Sequence, residues 1–170
     1  MPTEPPPVIR PAAAADAGPV AAIFAHYVTA SVATFEEVAP DASGWRRRFG
    51  ELAGLGLPFL VAEGDDGICG FAYASPWRPK PAYRYTVEDT VYLSPGATGR
   101  GLGTALLAAL LDGCAQAGVR QVIAVIADTG SDASAALHRR LGFTEAGRLT
   151  AVGRKHGRWI DTLLMQKGLG

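Results

Sequence analysis

The chain carries no surplus of either charge: sixteen lysines and arginines meet sixteen aspartates and glutamates in 170 residues. A neutral balance lacks the basic footprint that nucleic acid or an anionic membrane surface demands, so neither is expected as a partner. The one short basic run, Arg46-Arg47-Arg48, reads as a solvated helix face. Long apolar runs are missing too, and none approaches the ~18 residues of a membrane span. The head from Pro2 to Pro7 is proline-rich rather than basic-then-apolar, which excludes a secretory signal and predicts an extended, disordered tail over residues 1–7. Cysteine is scarce: Cys69 and Cys114 lie in apolar segments, as buried thiols in a reducing cytoplasm would. The three histidines, His26, His138 and His156, have no metal-ligand spacing, so no metal is expected. No repeat and no break in composition divide the chain, which leaves one domain over residues 8–170.

What is present is a regular alternation of strand and helix signals. Val8 to Arg10 reads as a strand ended by Pro11, and Asp16 is placed to cap a helix carrying Val20, Ile23, Phe24 and Tyr27. A second helix starts after Asp41 with Trp45, Phe49 and Leu52 on one side. Phe59–Glu63 and Ile68–Ala74 read as strands joined through Gly64-Asp65-Asp66-Gly67, a hairpin signal. The prolines between Ser75 and Ala82 exclude a central strand there, and Arg84 to Leu93 then forms a long one. A third helix runs from about Gly101 to Ala117, closed by Gly118. Gln121–Ala127 is a continuous apolar, β-branched run, as in a strand buried on both faces. A short helix, Ser134–Leu141, ends at Gly142, and strands Glu145–Val152 and Trp159–Lys167 flank a His156-Gly157 turn.

The densest chemistry lies between Val87 and Leu111, where a strand bearing Glu88 feeds a glycine-rich turn that opens into a helix. Glycines at 99, 101 and 103 let backbone approach an anion closely. The turn sits at a helix N-terminus, where free N–H groups and the dipole attract phosphate. A Walker loop would need Lys-Ser/Thr after the last glycine, and Gly103 is followed by Thr104 and Ala105. A Rossmann loop would need a third glycine where Leu106 stands. A phosphorylated ligand is expected here, with a carboxylate one strand-length away.

The segment Thr98–Gly103 resembles the phosphate loop of the GNAT superfamily of N-acetyltransferases, and Ser131–Phe143 resembles the segment that follows the next strand in that superfamily. The match narrows to the phosphinothricin and methionine sulfoximine acetyltransferases. It rests on His26–Phe35, Ala72–Trp77, Thr86–Pro95, Val122–Ile126 and Gly153–Asp161, recurring in order from Ile9 to about Met165. The resemblance implies an α/β, single-domain fold: a mixed, twisted sheet of about seven strands with four helices on both faces. It implies acetyl-CoA as co-substrate, a small amino acid analogue as acceptor, and a homodimer.

Carried over position by position, the resemblance makes Glu88 the general base and His138 the acid or base that meets the departing thiolate. Asp89 alternates away from Glu88 and reads as structural or solvated, while His26 and His156 are assigned to packing or turns. Backbone groups of Val91, Tyr92 and Leu93 are expected to bind the pantetheine arm. Gly99, Arg100, Gly101, Leu102, Gly103 and Thr104 are expected around the pyrophosphate, with Ser131 beside them. Two positions depart from the pattern: Thr98 replaces Arg or Gln, and Ser131 replaces Asn, which suggests weaker cofactor binding. Phe35, Arg78, Tyr83, Arg84 and Thr90 are expected to select the acceptor, the arginines because a guanidinium binds an oxyanion through paired hydrogen bonds. Two alternatives stay open: an acceptor that is a peptide N-terminus or amine drug, and an acyl-CoA-binding sensor with degenerate catalysis.

Overall fold

The computed structural model describes residues 3–170, so Met1 and Pro2 of the expected tail lie outside the described residues; Thr3–Pro7 carry no helix or strand. Seven strands form: β1 (Val8–Pro11), β2 (Phe59–Gly64), β3 (Gly67–Pro76), β4 (Thr86–Leu93), β5 (Gln121–Ala127), β6 (Thr144–Lys155) and β7 (Arg158–Gly168). They make one sheet in the order β1-β2-β3-β4-β5-β7-β6, with β4–β5 its one parallel pair among the described residues. Four α-helices complete the fold: α1 (Ala17–Ala30), α2 (Ala42–Gly54), α3 (Leu102–Gln116) and α4 (Ala133–Arg140).

The sheet divides the core in two. On one face, Leu102, Leu106, Leu107 and Leu110 of α3 bury against Val87, Val122 and Met165, each leucine worth roughly 1.5–3 kcal/mol. On the other, Trp45 sits edge-on to Phe24, Phe59, Phe71 and Tyr73 beneath α1 and α2. Such edge-to-face pairs add about 0.5–1.5 kcal/mol beyond their burial. The α1–α2 layer covers only β1 to β4. That corrects the expectation for β5: Val125 is 40% exposed, because no helix lies over that face of the strand.

Three further expectations need correction. Asp16 does not cap α1 with its side chain; its carboxylate is committed to Arg10 at 2.8 Å and accepts from the Ala13 N–H at 2.7 Å, closing a short 3-10 turn before the helix. β3 runs on to Pro76 and β4 begins only at Thr86, so Arg84 and Tyr85 lie outside the sheet. Pro76 is tolerated because its missing N–H would point past the end of β2, where the Ala74 N–H already reaches Pro58 and no acceptor strand follows.

Helix ends follow their glycines. Gly118 at φ 82 ends α3, and Gly142 at φ 89 ends α4. The α4 closure brings the Phe143 N–H to the His138 carbonyl and sets the two rings edge-on, 4.9 Å apart. α2 begins as read, with Asp41 accepting from the Gly44 N–H at 2.8 Å.

One feature of the sheet positions everything that follows. β4 and β5 are paired only over Thr86–Glu88 against Gln121–Ile123, and beyond Glu88 the two strands diverge. The bonds Trp77 N–H to Thr86 O and Ser94 N–H to Cys69 O fix the alternation along β4. Even-numbered residues therefore spend their backbone on β3, and the backbone groups of Asp89, Val91 and Leu93 face the gap.

Candidate active site

The gap between β4 and β5 opens into a cavity of about 1130 Å³ that passes through the sheet. Along β4, Val87, Asp89, Val91 and Leu93 turn to the α3 side, while Glu88, Thr90 and Tyr92 turn to the α1–α2 side. The residue at which parallel pairing stops is Glu88.

At the far end of the cavity stands the start of α3. Gly101 occupies the N-cap at φ 80, a conformation that costs glycine nothing, and no side chain caps the helix. The Ala105 N–H is the first to find a helical acceptor, at Gly101 O, so the amides of the first turn remain free for an anion. Gly99, Gly101, Gly103 and Thr104 line this end, as does Ser131 across the gap. Arg100 points away from the cavity, and Leu102 buries its side chain in the core, so Leu102 can offer only its backbone. The hydroxyls of Thr98 and Ser131 close local turns instead, Thr98 on Pro95 O at 3.1 Å and Ser131 by accepting from Ala133 N–H at 3.2 Å. Substituting Gly103→Val would add bulk to this wall, which already touches Leu137 at 3.4 Å from an added Cβ. The expected result is a folded protein whose acetyl-CoA affinity, read by calorimetry, falls about tenfold or more.

The pantetheine expectation holds unevenly. Val91 turns its backbone to the gap, and Leu93 does so with its carbonyl already taken by the Tyr27 hydroxyl. Tyr92 is a correction: its backbone belongs to β3, and its ring lies among Phe24, Tyr27 and Phe71. Parity along the strand makes this unavoidable, since neighbouring residues cannot face the same side.

Glu88 is half-buried, lines the cavity, and its carboxylate has no hydrogen-bond or ion-pair partner among the described residues. Burial pushes its pKa up and the neighbouring Asp89 charge adds to this, while Arg78 pulls it back. A carboxylate in that state is a stronger base than an exposed one and better suited to take a proton.

His138 lines the cavity, as its expected role requires. It is 5% exposed; Nδ1 lies 2.7 Å from the Ser134 carbonyl and Nε2 lies 2.9 Å from Asp89 Oδ2. Burial opposes a charged ring, but the Asp89 hydrogen bond and charge and the Ser134 carbonyl outweigh it, so the pKa is raised. Both nitrogens are occupied, and none is left to meet a thiolate. Asp89, read as structural or solvated, is buried and paired.

The acceptor-side expectations divide. Phe35 and Thr90 line the cavity, whereas Arg78, Tyr83 and Arg84 are exposed and lie outside it. A 3-10 turn at Pro81–Tyr83, stiffened by prolines, carries the loop outward. Arg84 is held on Pro81 O at 3.1 Å and over the Tyr85 ring, and Arg78 lies over Trp77 at 4.4 Å, near enough to act on Glu88.

Several cavity groups were not foreseen. Glu36 and Glu51 add two carboxylates to Glu88, opposed by Arg48, which donates to the Tyr73 hydroxyl. Thr162 of β7 presents a buried hydroxyl with no partner. Behind the cavity wall, Lys155, almost fully buried, donates to the Thr34 carbonyl at 2.8 Å, and burial lowers its pKa against the charges of Glu37 and Glu36. None of these bears a local sequence signal; only the sheet register brings them in.

A split parallel pair, an uncapped glycine-rich helix start and a raised carboxylate between them define an acyl-CoA-dependent acyltransferase. The chain belongs to the acetyltransferase (GNAT) family, whose model matches residues 21–143. It is an N-acetyltransferase that uses acetyl-CoA. It is 49% identical to a phosphinothricin N-acetyltransferase of Alcaligenes faecalis, over 88% of this chain and 76% of that one. It is 38% identical to an L-methionine sulfoximine/L-methionine sulfone acetyltransferase of Pseudomonas aeruginosa, over 95% and 94%. Among solved structures, a phosphinothricin acetyltransferase from Sinorhizobium meliloti in complex with acetyl-CoA superposes with a TM-score of 0.92 at 45% identity, over 98% of this chain and 90% of that one.

Proposed function

We propose that this enzyme acetylates the α-amine of a small amino acid analogue of the phosphinothricin, methionine sulfoximine or methionine sulfone type, by direct transfer with Glu88 as general base. The observation that carries the reading is the unpartnered, burial-raised Glu88 carboxylate at the closed end of the β4–β5 gap. The kinship with the phosphinothricin and methionine sulfoximine enzymes supports the acceptor class.

Glu88 takes a proton from the acceptor ammonium, directly or through one water, and the freed amine attacks the thioester carbon. The C–N bond forms as the carbonyl π electrons move to oxygen, and the backbone N–H groups of β4 that face the gap are suited to hold that oxyanion. The oxyanion re-forms the carbonyl and the C–S bond breaks. The departing thiolate, whose conjugate acid has a pKa of about 8.5, takes the second proton from the new amide nitrogen, directly or through water, so no further protein acid is needed. His138 then serves to hold Asp89, and through it the strand that carries Glu88. A homodimer in the cytoplasm completes the reading. The exposed edge of β6, where Thr144–Val152 are open to solvent, supports a second copy there.

A second reading rests on the three carboxylates of Glu36, Glu51 and Glu88 around the cavity, which favour a cationic acceptor such as a peptide N-terminus or an amine drug. An amine panel assayed by thiol release from acetyl-CoA separates the two. Amino acids should react and their decarboxylated amines should not. Arg78 lies outside the cavity and reaches the site only through its charge, so Arg78→Ala should raise the amino acid's KM by about two- to fivefold, the worth of a screened charge, and leave that of acetyl-CoA unchanged. Equal rates with simple amines would give the second reading.

A further inference from the structure

Lys155 is the one buried lysine or arginine among the described residues, and no carboxylate pairs with it. Its ammonium instead donates to two backbone carbonyls, Thr34 O at 2.8 Å and Tyr27 O at 3.4 Å. An ammonium kept from water is costly unless its donors are used. Here they are used to join the β6–β7 hairpin to the end of α1 and the connection after it, more than 120 residues earlier in the chain. Tyr27 lies in the last turn of α1, where its carbonyl also accepts from the Ser31 N–H at 3.2 Å and the helix dipole favours a cation.

Two residues earlier on β6, Gly153 makes a second tie. A Cβ there would fall 2.3 Å from the Phe35 ring, so the ring lies against bare backbone. The Tyr92 hydroxyl adds a third tie, donating to Ala33 O at 3.4 Å. Ala33, Thr34, Phe35 and Glu36 all line the cavity. The hairpin thus grips successive residues of the segment that roofs the acceptor side, one by its carbonyl and the next by its ring.

We infer that Lys155 and Gly153 are positioning residues that determine acceptor specificity: together they fix Ala33–Glu36 over the cavity and so set the size of the acceptor site. The inference rests on the acceptor side proposed above and assigns neither residue to the chemistry. Filling alone would not need a lysine, since methionine occupies similar space without donating.

The test uses Lys155→Met and Gly153→Ala in the full chain. Lys155→Met should raise the acceptor KM by about tenfold or more, with kcat and the KM for acetyl-CoA within about twofold of wild type. Gly153→Ala should do the same, because the added methyl drives the Phe35 ring from its place. Hydrogen exchange gives an activity-free reading: amides of residues 33–36 should exchange faster in Lys155→Met while β4 and α3 keep their protection. An unchanged acceptor KM, or equal rises in both KM values, overturns the inference, as does unchanged exchange at 33–36. A wild type that acetylates no amino acid sinks the proposed acceptor instead. The exchange comparison still decides the clamp in that case, and the kinetic arm then uses the best amine of the panel.

Discussion

Glu88→Gln should lower turnover by about 10²–10⁴-fold, the usual worth of a general base, while acetyl-CoA affinity read by calorimetry should stay at the wild-type value. Glutamine keeps the shape of the side chain at the closed end of the gap but cannot accept the ammonium proton. The pH profile sharpens the test. Burial raises the Glu88 pKa, so the acid limb of kcat/KM should lie above the ordinary carboxylate range, with activity rising as Glu88 loses its proton. Arg78 lowers that pKa, so Arg78→Ala should move the limb to higher pH. Wild-type turnover in Glu88→Gln at every pH would show that the base lies elsewhere.

The second large effect concerns the pair behind the catalytic strand. Removing His138 alone, as in His138→Leu, leaves the Asp89 carboxylate buried without its partner and should cost about 3–5 kcal/mol of stability. Replacing both members by apolar residues should cost far less, so a double-mutant cycle in denaturant identifies the coupling. The sign of the pH dependence follows from the raised His138 pKa. Its stabilisation is fully present below the unfolded value of 6.5 and fades as pH climbs through the folded one. The difference between wild type and His138→Leu should therefore shrink on the alkaline side. A difference that grows there would mean the ring is neutral in the native state.

What could be read from the chain was what is local. The bounds of β5 coincide with the apolar run Gln121–Ala127, and Asp41, Gly118 and Gly142 mark helix ends by chemistry confined to a few residues. Glu88 and the glycine turn were legible for the same reason, since strand, turn and helix follow one another directly. The rest depends on register. Asp89 meets a histidine 49 residues away and Lys155 a carbonyl 121 residues away, and neither has a spacing rule. Pro76 was read as a breaker because a proline's cost depends on which side its missing N–H would face, and that is known only once β2 is seen to end. The strand expected from Arg84 starts only at Thr86, because the proline-stiffened turn Pro81–Tyr83 carries the chain just before it outward.

The divergence of β4 from β5 also bears on how the molecule comes apart. Only three residue pairs join those two strands, so between the β1–β4 half and the β5–β7–β6 half the hydrogen-bonded ladder is nearly cut. Cohesion there rests on side chains: the core that the α3 leucines share with Val87 and Val122, the His138–Asp89 pair and the Lys155 bonds to Thr34 and Tyr27. Heat or denaturant should find this seam first, with subglobal opening that exposes the end of β5 before the hairpins of either half. A molecule that lay lengthwise in the seam and bonded to both banks would act as a missing rung, so acetyl-CoA, if it binds there, should raise the melting temperature by closing the same seam.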